Sequence, residues 1–319
     1  MRVHPLRRVG SMTEVSPRSE EGVPSGGALA ADLDAKTTAL VAHLAGLGPL
    51  AVAVSGGVDS SFLLAAALRA ERDVLPLLGV SPTLPQEARA RAHRIAETLG
   101  VVVREVETHE LEDPSYVANG PDRCYFCKKE LFGVLKSLDA VVRSDATGEG
   151  RALLDGTQHD DRGDTRPGRR AARELGVSSP LLDLGWTKAD IRIVSRHWGL
   201  ETWNLPSGPC LSSRVPTGIA VTEPALRRIE AGERALRDLG FLEVRVRDHG
   251  SLARVELPST DLPRAVEFRD EIAERLEGIG YLEVTLDLRG YRPAGSSRRA
   301  RANGDRNATS SQPIDRSEV

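Results

Sequence analysis

Chemistry is concentrated in three places along the 319-residue chain: the turn Ser55-Gly-Gly-Val-Asp-Ser60, the pair Cys124-x-x-Cys127, and a third cysteine, Cys210. An apolar strand, Leu50 to Val54, breaks into the first of these and restarts as a helix near Asp59. Glycine reaches backbone dihedrals that other residues avoid, so Ser55-Gly56-Gly57 can turn successive amides toward one point. The following helix adds its free amides and the positive end of its dipole, and such an arrangement binds a phosphate or pyrophosphate. A tight turn capped by serine is the plainer reading. Two glycines, two hydroxyls and an acid at one strand-to-helix switch favour the phosphate. The Gly-Lys-Ser/Thr ending of the Walker loop and the wider glycine spacing of the dinucleotide fingerprint are both missing.

Three cysteines are an odd number, and a Cys-x-x-Cys pair in a chain expected to be cytoplasmic points to metal or redox chemistry rather than a disulfide framework. Half of a structural zinc site, completed by Cys210 and a histidine such as His159, is one alternative. Buried inert thiols are another, opposed by Arg123, Lys128 and Lys129, whose charge is expected to favour thiolates. Arg245 and Arg247 stand two apart on an expected strand, so both point to one face and can converge on an anion. Their guanidinium forks suit a phosphate monoester or a carboxylate; ion pairs on a solvated strand face are the alternative.

These residues need a scaffold, and the pattern of the chain supplies one. Helix is expected over 32–47, 59–70, 85–99 and from Cys127 to about Lys136. Strands are expected over 50–54, 74–80, 101–106 and at Leu153-Leu154-Asp155. Alternation of this kind implies an α/β fold whose parallel sheet is covered on both faces, with ligands beyond the carboxyl ends of the strands. Thr187 caps a further expected helix to Trp198. After Thr222 the order becomes helix 223–239, strands 242–246 and 253–257, helix 262–276 and strand 281–286, a small α+β unit. Asp139 to Arg151 fits no element.

At roughly 150 residues per domain the length suggests two. The expected divisions are a disordered segment 1–31, an adenine-nucleotide domain 32–218, an α+β domain 219–290 and a tail 291–319. That tail carries six arginines against three acids, while the whole chain has a formal net charge of -3. Nothing in this balance calls for nucleic acid. The most apolar window, Thr38 to Val54, is interrupted by His43, Gly46, Gly48 and Pro49 and cannot form a span of about 20 residues, so no membrane partner and a cytoplasmic location are expected.

The turn SGGVDS resembles the PP-loop of the ATP pyrophosphatase superfamily, whose members cleave ATP between the α and β phosphates and adenylate a carbonyl or carboxyl oxygen. The resemblance implies that Ser55, Gly56, Gly57 and Ser60 hold pyrophosphate and that Asp59 helps to place magnesium. The two cysteine segments, Gly120-Pro-Asp-Arg-Cys-Tyr-Phe-Cys-Lys-Lys-Glu-Leu-Phe132 and Ser207-Gly-Pro-Cys-Leu-Ser-Ser-Arg214, are similar to those of the LarE family. So are Val80-Ser-Pro-Thr-Leu-Pro85, Asp155-Gly-Thr-Gln-His-Asp-Asp161, Arg166-Pro-Gly, Glu174 to Leu182 and Arg245-Val-Arg-Asp-His-Gly250, and the likeness runs from about Leu50 to Tyr291.

LarE proteins are ATP-dependent sulfur transferases that build the nickel-pincer nucleotide cofactor from pyridinium-3,5-biscarboxylic acid mononucleotide. Each carboxylate is adenylated and then converted to a thiocarboxylate. The resemblance makes Cys210 the sulfur-bearing cysteine and gives Arg214, Arg245, Arg247 and, approximately, Glu233 to the nucleotide substrate. Some members surrender the sulfur of a lone cysteine, leaving dehydroalanine; others hold a 4Fe-4S cluster on three cysteines. The set Cys124, Cys127 and Cys210 matches the second kind and favours it over the sacrificial one. Family members often form trimers and hexamers, so a homo-oligomer is implied; the sulfide donor is unknown. The family's pattern also departs here, with Gln158-His159 and Trp186 at unusual positions, which bears on the roles of Asp155 and Asp160 near ATP or magnesium. A tRNA thiolase, an amide-forming synthetase, and a non-catalytic nucleotide or redox sensor are the rival readings. The first needs a basic surface, nothing resembles the glutaminase domain of the second, and substrate-dependent pyrophosphate release would exclude the third.

Overall fold

In a computed structural model of the chain, alternate residues of the central strand enter different cores: Leu50, Val52 and Val54 on one side of the sheet, Ala51 on the other. The same division separates Leu78 from Leu77 and Leu154 from Leu153. A period of two with both sets apolar means that both faces of the sheet are covered, as the unbroken apolar runs imply. The structure describes residues 30–291 apart from 139, 140, 142, 145, 146, 164–166 and 207. The terminal segments expected to be disordered therefore lie almost wholly outside the described residues, as do Arg166, Ser207 and part of the unplaced stretch 139–151.

The elements are α1 (Ala31–Ala45), β1 (Leu50–Ala53), α2 (Val58–Arg69), β2 (Val74–Val80), α3 (Gln86–Thr98), β3 (Arg104–Glu107), α4 (Arg123–Ser137), β4 (Ala152–Leu154), α5 (Pro167–Glu174) and α6 (Lys188–His197). The four strands form one parallel sheet in the order β3-β2-β1-β4, with Leu50 opposite both Val74 and Ala152. Helices α1, α2 and α6 cover one face. Phe62 of α2 is sandwiched between Trp186, 4.8 Å away and tilted, and Trp198, 5.0 Å away and stacked. Trp186 is fully buried, so the large ring at this unusual position is a core residue.

A second, smaller sheet follows in the chain. It is preceded by α7 (Glu223–Asp238) and built from β5 (Arg245–Asp248), β6 (Leu252–Glu256) and β7 (Glu283–Leu286), with α8 (Leu262–Glu267) and α9 (Arg269–Gly278) between the last two. Its order is β5-β6-β7, antiparallel then parallel, over a separate core that includes Leu236, Phe241, Val246, Val255 and Leu276. A third cluster joins the two regions: Tyr116, Leu211 and Val215 pack with Val221, Leu226 and Ile229.

Several boundaries differ from the sequence expectation. The helix bearing the paired cysteines starts at Arg123, a turn before Cys127, so both thiols are helical. Strand β3 begins only at Arg104, and the Val102 expected inside it is 85% exposed. The long helix expected from Leu262 breaks at Phe268, whose φ and ψ of -90° and 12° leave the helical region. Among the described residues, no helix is long and apolar enough to cross a membrane.

Candidate active site

The turn after β1 is held by its own hydroxyls. Ser60 Oγ accepts from the Ser55 amide at 3.1 Å, lies 3.1 Å from Ser55 Oγ and donates to the Gly57 carbonyl at 3.3 Å. Gly56 has φ of 68°, and a Cβ there would lie 2.3 Å from the Ala88 carbonyl oxygen. Only glycine fits that position. Gly57 is different: at φ -91° and ψ 169° it is ordinary extended backbone, and as the N-cap of α2 it offers no side chain to the helix amides. The start of this twelve-residue helix is therefore uncapped, which suits it to a phosphate. From the opposite side Gly156 closes in, its absent Cβ lying 2.9 Å from the Ser60 nitrogen.

Acids surround the loop. Asp59, 25% exposed at its side chain, is gripped by Lys188, whose Nζ donates to Oδ1 at 2.6 Å and to Oδ2 at 2.5 Å. Burial still pushes the Asp59 carboxyl above its ordinary value; Lys188 pulls the other way and Asp161 adds to the rise. Asp155 is buried and accepts from Ser179 Oγ at 2.6 Å and Thr157 Oγ1 at 2.7 Å. It thereby fixes the loop after β4. Asp160 accepts the backbone amide of Lys188 at 2.9 Å.

Ser55, Gly57, Asp59 and Ser60 line one side of a cavity of about 470 Å³, and Cys124, Cys127 and Cys210 line another part of its wall. That volume falls in the range of small-molecule sites, roughly 300–1,000 Å³. Cys124 and Cys127 are three apart on α4 and so share a helix face. Cys210 comes from the segment leading to Leu211, whose amide donates to the Thr83 carbonyl at 2.9 Å, which fastens it beyond the end of β2. All three thiols are free.

The charges near the pair do not act as their sequence suggests. Burial pushes the Cys127 thiol up to about 12, outweighing Lys128, and the nearby Cys210, Glu110 and Cys124 add to the rise. Arg123 is occupied elsewhere, donating to Asn119 Oδ1 at 2.6 Å and to the Ser212 carbonyl at 2.8 Å. Without a bound cation, then, Cys127 is a thiol and not a thiolate.

Arg214 and Glu233 meet in a buried pair, Nε to Oε1 at 2.7 Å and Nη2 to Oε2 at 3.1 Å. The remaining Arg214 nitrogen donates to the carbonyls of Pro209 at 2.5 Å and Cys210 at 3.1 Å. Arg247 donates to the Ser213 carbonyl at 2.6 Å and to Glu256 at 2.8 Å. Arg245 shares that strand face and lies 5.2 Å from the Tyr291 ring, and burial together with Arg214 holds its guanidinium below its ordinary value. These arginines and Glu233 gather behind the Cys210 segment and are not among the residues lining the cavity.

Sequence reasoning missed several residues of the site. Glu110 is buried and accepts from Ser81 Oγ at 2.5 Å and Thr83 Oγ1 at 2.7 Å, and all three line the cavity. The position of Ser81-Pro-Thr83 directly after β2 was the available signal, since such sheets place ligands there. Glu110, opening the single 3₁₀ turn Glu110–Glu112, offered none. Tyr116, buried with its hydroxyl 2.6 Å from Ser212 Oγ, supports the Cys210 segment from below.

No family model matches the chain. It is 38% identical over 243 residues to an uncharacterised protein of Synechocystis, covering 75% of this chain and 88% of that protein. An uncharacterised protein of Methanocaldococcus jannaschii is 28% identical over 241 residues, 76% of this chain and 90% of its own length. The pyridinium-3,5-bisthiocarboxylic acid mononucleotide synthase of Lactiplantibacillus plantarum is 35% identical over 264 residues, 82% of this chain and 94% of the synthase. With that extent of likeness, and with its phosphate-type loop and three cysteines on one cavity, the chain belongs to the LarE family of ATP-dependent sulfur transferases of nickel-pincer cofactor biosynthesis.

Proposed function

We propose that the chain uses ATP to adenylate a carboxylate of pyridinium-3,5-biscarboxylic acid mononucleotide and replaces the adenylate with sulfur delivered at Cys210. The observation that carries this reading is the single cavity lined by both the Ser55–Ser60 loop and the three cysteines. A carboxylate repels nucleophiles, whereas its adenylate has a good leaving group. Attack of the carboxylate oxygen on the α phosphorus releases pyrophosphate, which the loop amides and the Ser55 and Ser60 hydroxyls receive. Sulfide, taken up from solution, then bonds to the carbonyl carbon as the carbon–oxygen bond to AMP breaks and AMP leaves with that electron pair.

Magnesium would bind at Asp59, a carboxylate that already attracts a cation. Cys124, Cys127 and Cys210 would hold a 4Fe-4S cluster. The donors fit it: three soft thiols and no imidazole line that part of the cavity. Among the described residues no three Cys, His, Asp or Glu side chains are gathered around one metal position, so the cluster, like a single zinc, would have to draw the three thiols together. When bound, the cluster supplies an iron corner free of protein ligand, at which sulfide can be exchanged. Arg245 and Arg247 are the proposed anion-binding residues for substrate, while Arg214 serves the site by donating to the carbonyls of Pro209 and Cys210, with its guanidinium held in place by Glu233. The division into an ATP domain, 32–218, and an α+β domain, 219–290, a cytoplasmic location and a trimeric or hexameric assembly complete the reading.

The test is anaerobic reconstitution with iron and sulfide, followed by counting thiocarboxylate per chain in the presence of ATP, magnesium and the biscarboxylate. Many turnovers, lost in Cys124→Ala, are expected. At most one sulfur per chain, with Cys210 lighter by the mass of hydrogen sulfide, would replace the cluster with the sacrificial mode. No product from the protein, reconstituted or as purified, would overturn the substrate assignment.

A further inference from the structure

Lys188 is the first residue of α6, and its backbone is fixed more firmly than any role as a surface lysine requires. Thr187 and Asp190 form a reciprocal capping box at that helix start. Asp190 is in turn held by Lys36 Nζ at 2.7 Å, which also donates to the Gly185 carbonyl at 2.8 Å. The Lys188 amide is anchored on Asp160. From this rigid base the flexible four-carbon stem reaches 129 residues back along the chain and places its ammonium on both oxygens of Asp59, inside the phosphate-type loop.

The pair is part-exposed, at 30% and 25% of the two side chains, and Asp59 itself lines the cavity, so the contact lies at its edge and not in the core. Asp59 faces Lys188, Asp161 and Arg192, and Arg192 donates to the Leu205 carbonyl at 2.8 Å. The ammonium is thus the cation in direct contact with this carboxylate. It occupies the position a divalent cation would need, and both cannot satisfy the same two oxygens.

We propose that Lys188 is a resident counter-ion that keeps Asp59 closed to divalent cations until a nucleotide polyphosphate draws the ammonium away. The inference rests on the nucleotide-binding reading of the Ser55–Ser60 loop and adds to it an order of events. An arriving triphosphate presents several negative charges to a lysine whose base cannot move but whose head can. The head transfers from carboxylate to phosphate, and Asp59 becomes free for the cation that the nucleotide carries. Metal and nucleotide then enter together, and the empty protein does not collect metal at its phosphate loop.

Manganese binding to the full-length protein, read by the electron paramagnetic resonance signal of free Mn²⁺, tests this with and without α,β-methylene-ATP. Wild type is expected to bind Mn²⁺ at this site only with the analogue. Lys188→Met should bind Mn²⁺ without nucleotide at least tenfold more tightly than wild type, and adding Asp59→Asn should abolish that gain. Lys188→Arg, which keeps the charge, should exclude the metal as wild type does, and circular dichroism verifies that each variant folds. If wild type takes up Mn²⁺ with the analogue but Lys188→Met gains nothing for Mn²⁺ alone, the counter-ion role is overturned and the nucleotide site stands. If wild type binds no analogue, both are overturned.

Discussion

Arg214 and Glu233 join the segment carrying Cys210 to helix α7 through two parallel hydrogen bonds, with the residues only 3% and 1% exposed. Arg237 adds a third contact, donating to Glu233 Oε2 at 3.0 Å. Desolvated pairs of this kind tolerate joint replacement better than loss of one partner, because a lone buried charge has nothing to offset its lost hydration. Glu233→Ala should therefore lower stability by about 3–5 kcal/mol, measured by urea denaturation. Arg214→Met with Glu233→Leu should recover part of that loss without restoring sulfur transfer. Equal stability of Glu233→Ala and wild type would contradict the buried-pair account.

The loop glycines separate two effects. Gly56→Ala forces a side chain against the Ala88 carbonyl and holds a non-glycine residue at positive φ, which alone costs about 1–2 kcal/mol. Gly57→Ala meets only Ser55 Oγ at 3.4 Å and keeps an allowed backbone. Calorimetry with ATP should show binding abolished by the first substitution and weakened less than about tenfold, or about 1.4 kcal/mol, by the second. Equal losses would mean that the conformation of Gly56 is not what shapes the loop.

Protonation of Cys127 has a definite sign. Its thiol is raised in the folded state to about 12 from 9.0, so the folded chain binds the proton more tightly than the unfolded chain does. The metal-free protein should keep this contribution below pH 9.0 and lose it progressively as pH rises toward about 12. Iodoacetamide at pH 8, with mass spectrometry of the peptides, should label the exposed Cys124 well before Cys127. Simultaneous labelling would show that Cys127 is not held as a buried thiol.

Tyr116→Phe removes only a hydroxyl, the one 2.6 Å from Ser212 Oγ in the buried seam. A loss of about 1–2 kcal/mol is expected from leaving that serine without its partner, and thermal unfolding measures it. Ser212→Ala in the same background should restore part of the stability by removing the orphaned group. No recovery would show that the hydroxyls act independently.

Much of this organisation is written locally in the chain. Leu50–Ala53 and Val74–Val80 are legible as buried strands because both faces of the sheet are covered, and Thr187 is legible as a cap because Asp190 follows at the capping-box spacing. The cysteine set and the phosphate loop were readable from residue type, and they do share a cavity. What escaped depends on distant partners. Lys188 and Asp59 lie 129 positions apart and Tyr116 and Ser212 lie 96 apart, so no local pattern relates them. Arg214, given to the substrate by resemblance, meets Glu233 across 19 positions that no local pattern relates, and Cys127 reads as activated until burial outweighs the lysine beside it.

The apolar seam of Tyr116, Leu211, Val215, Val221, Leu226 and Ile229 carries a mechanical consequence. Cys210 immediately precedes Leu211, so it rides on the joint between the two sheets, fastened to one by the Leu211–Thr83 bond and to the other through Arg214 and Glu233. The third thiol therefore owes its place on the wall it shares with Cys124 and Cys127 to both sheets at once, whereas the loop after β1 owes its shape to the first sheet alone.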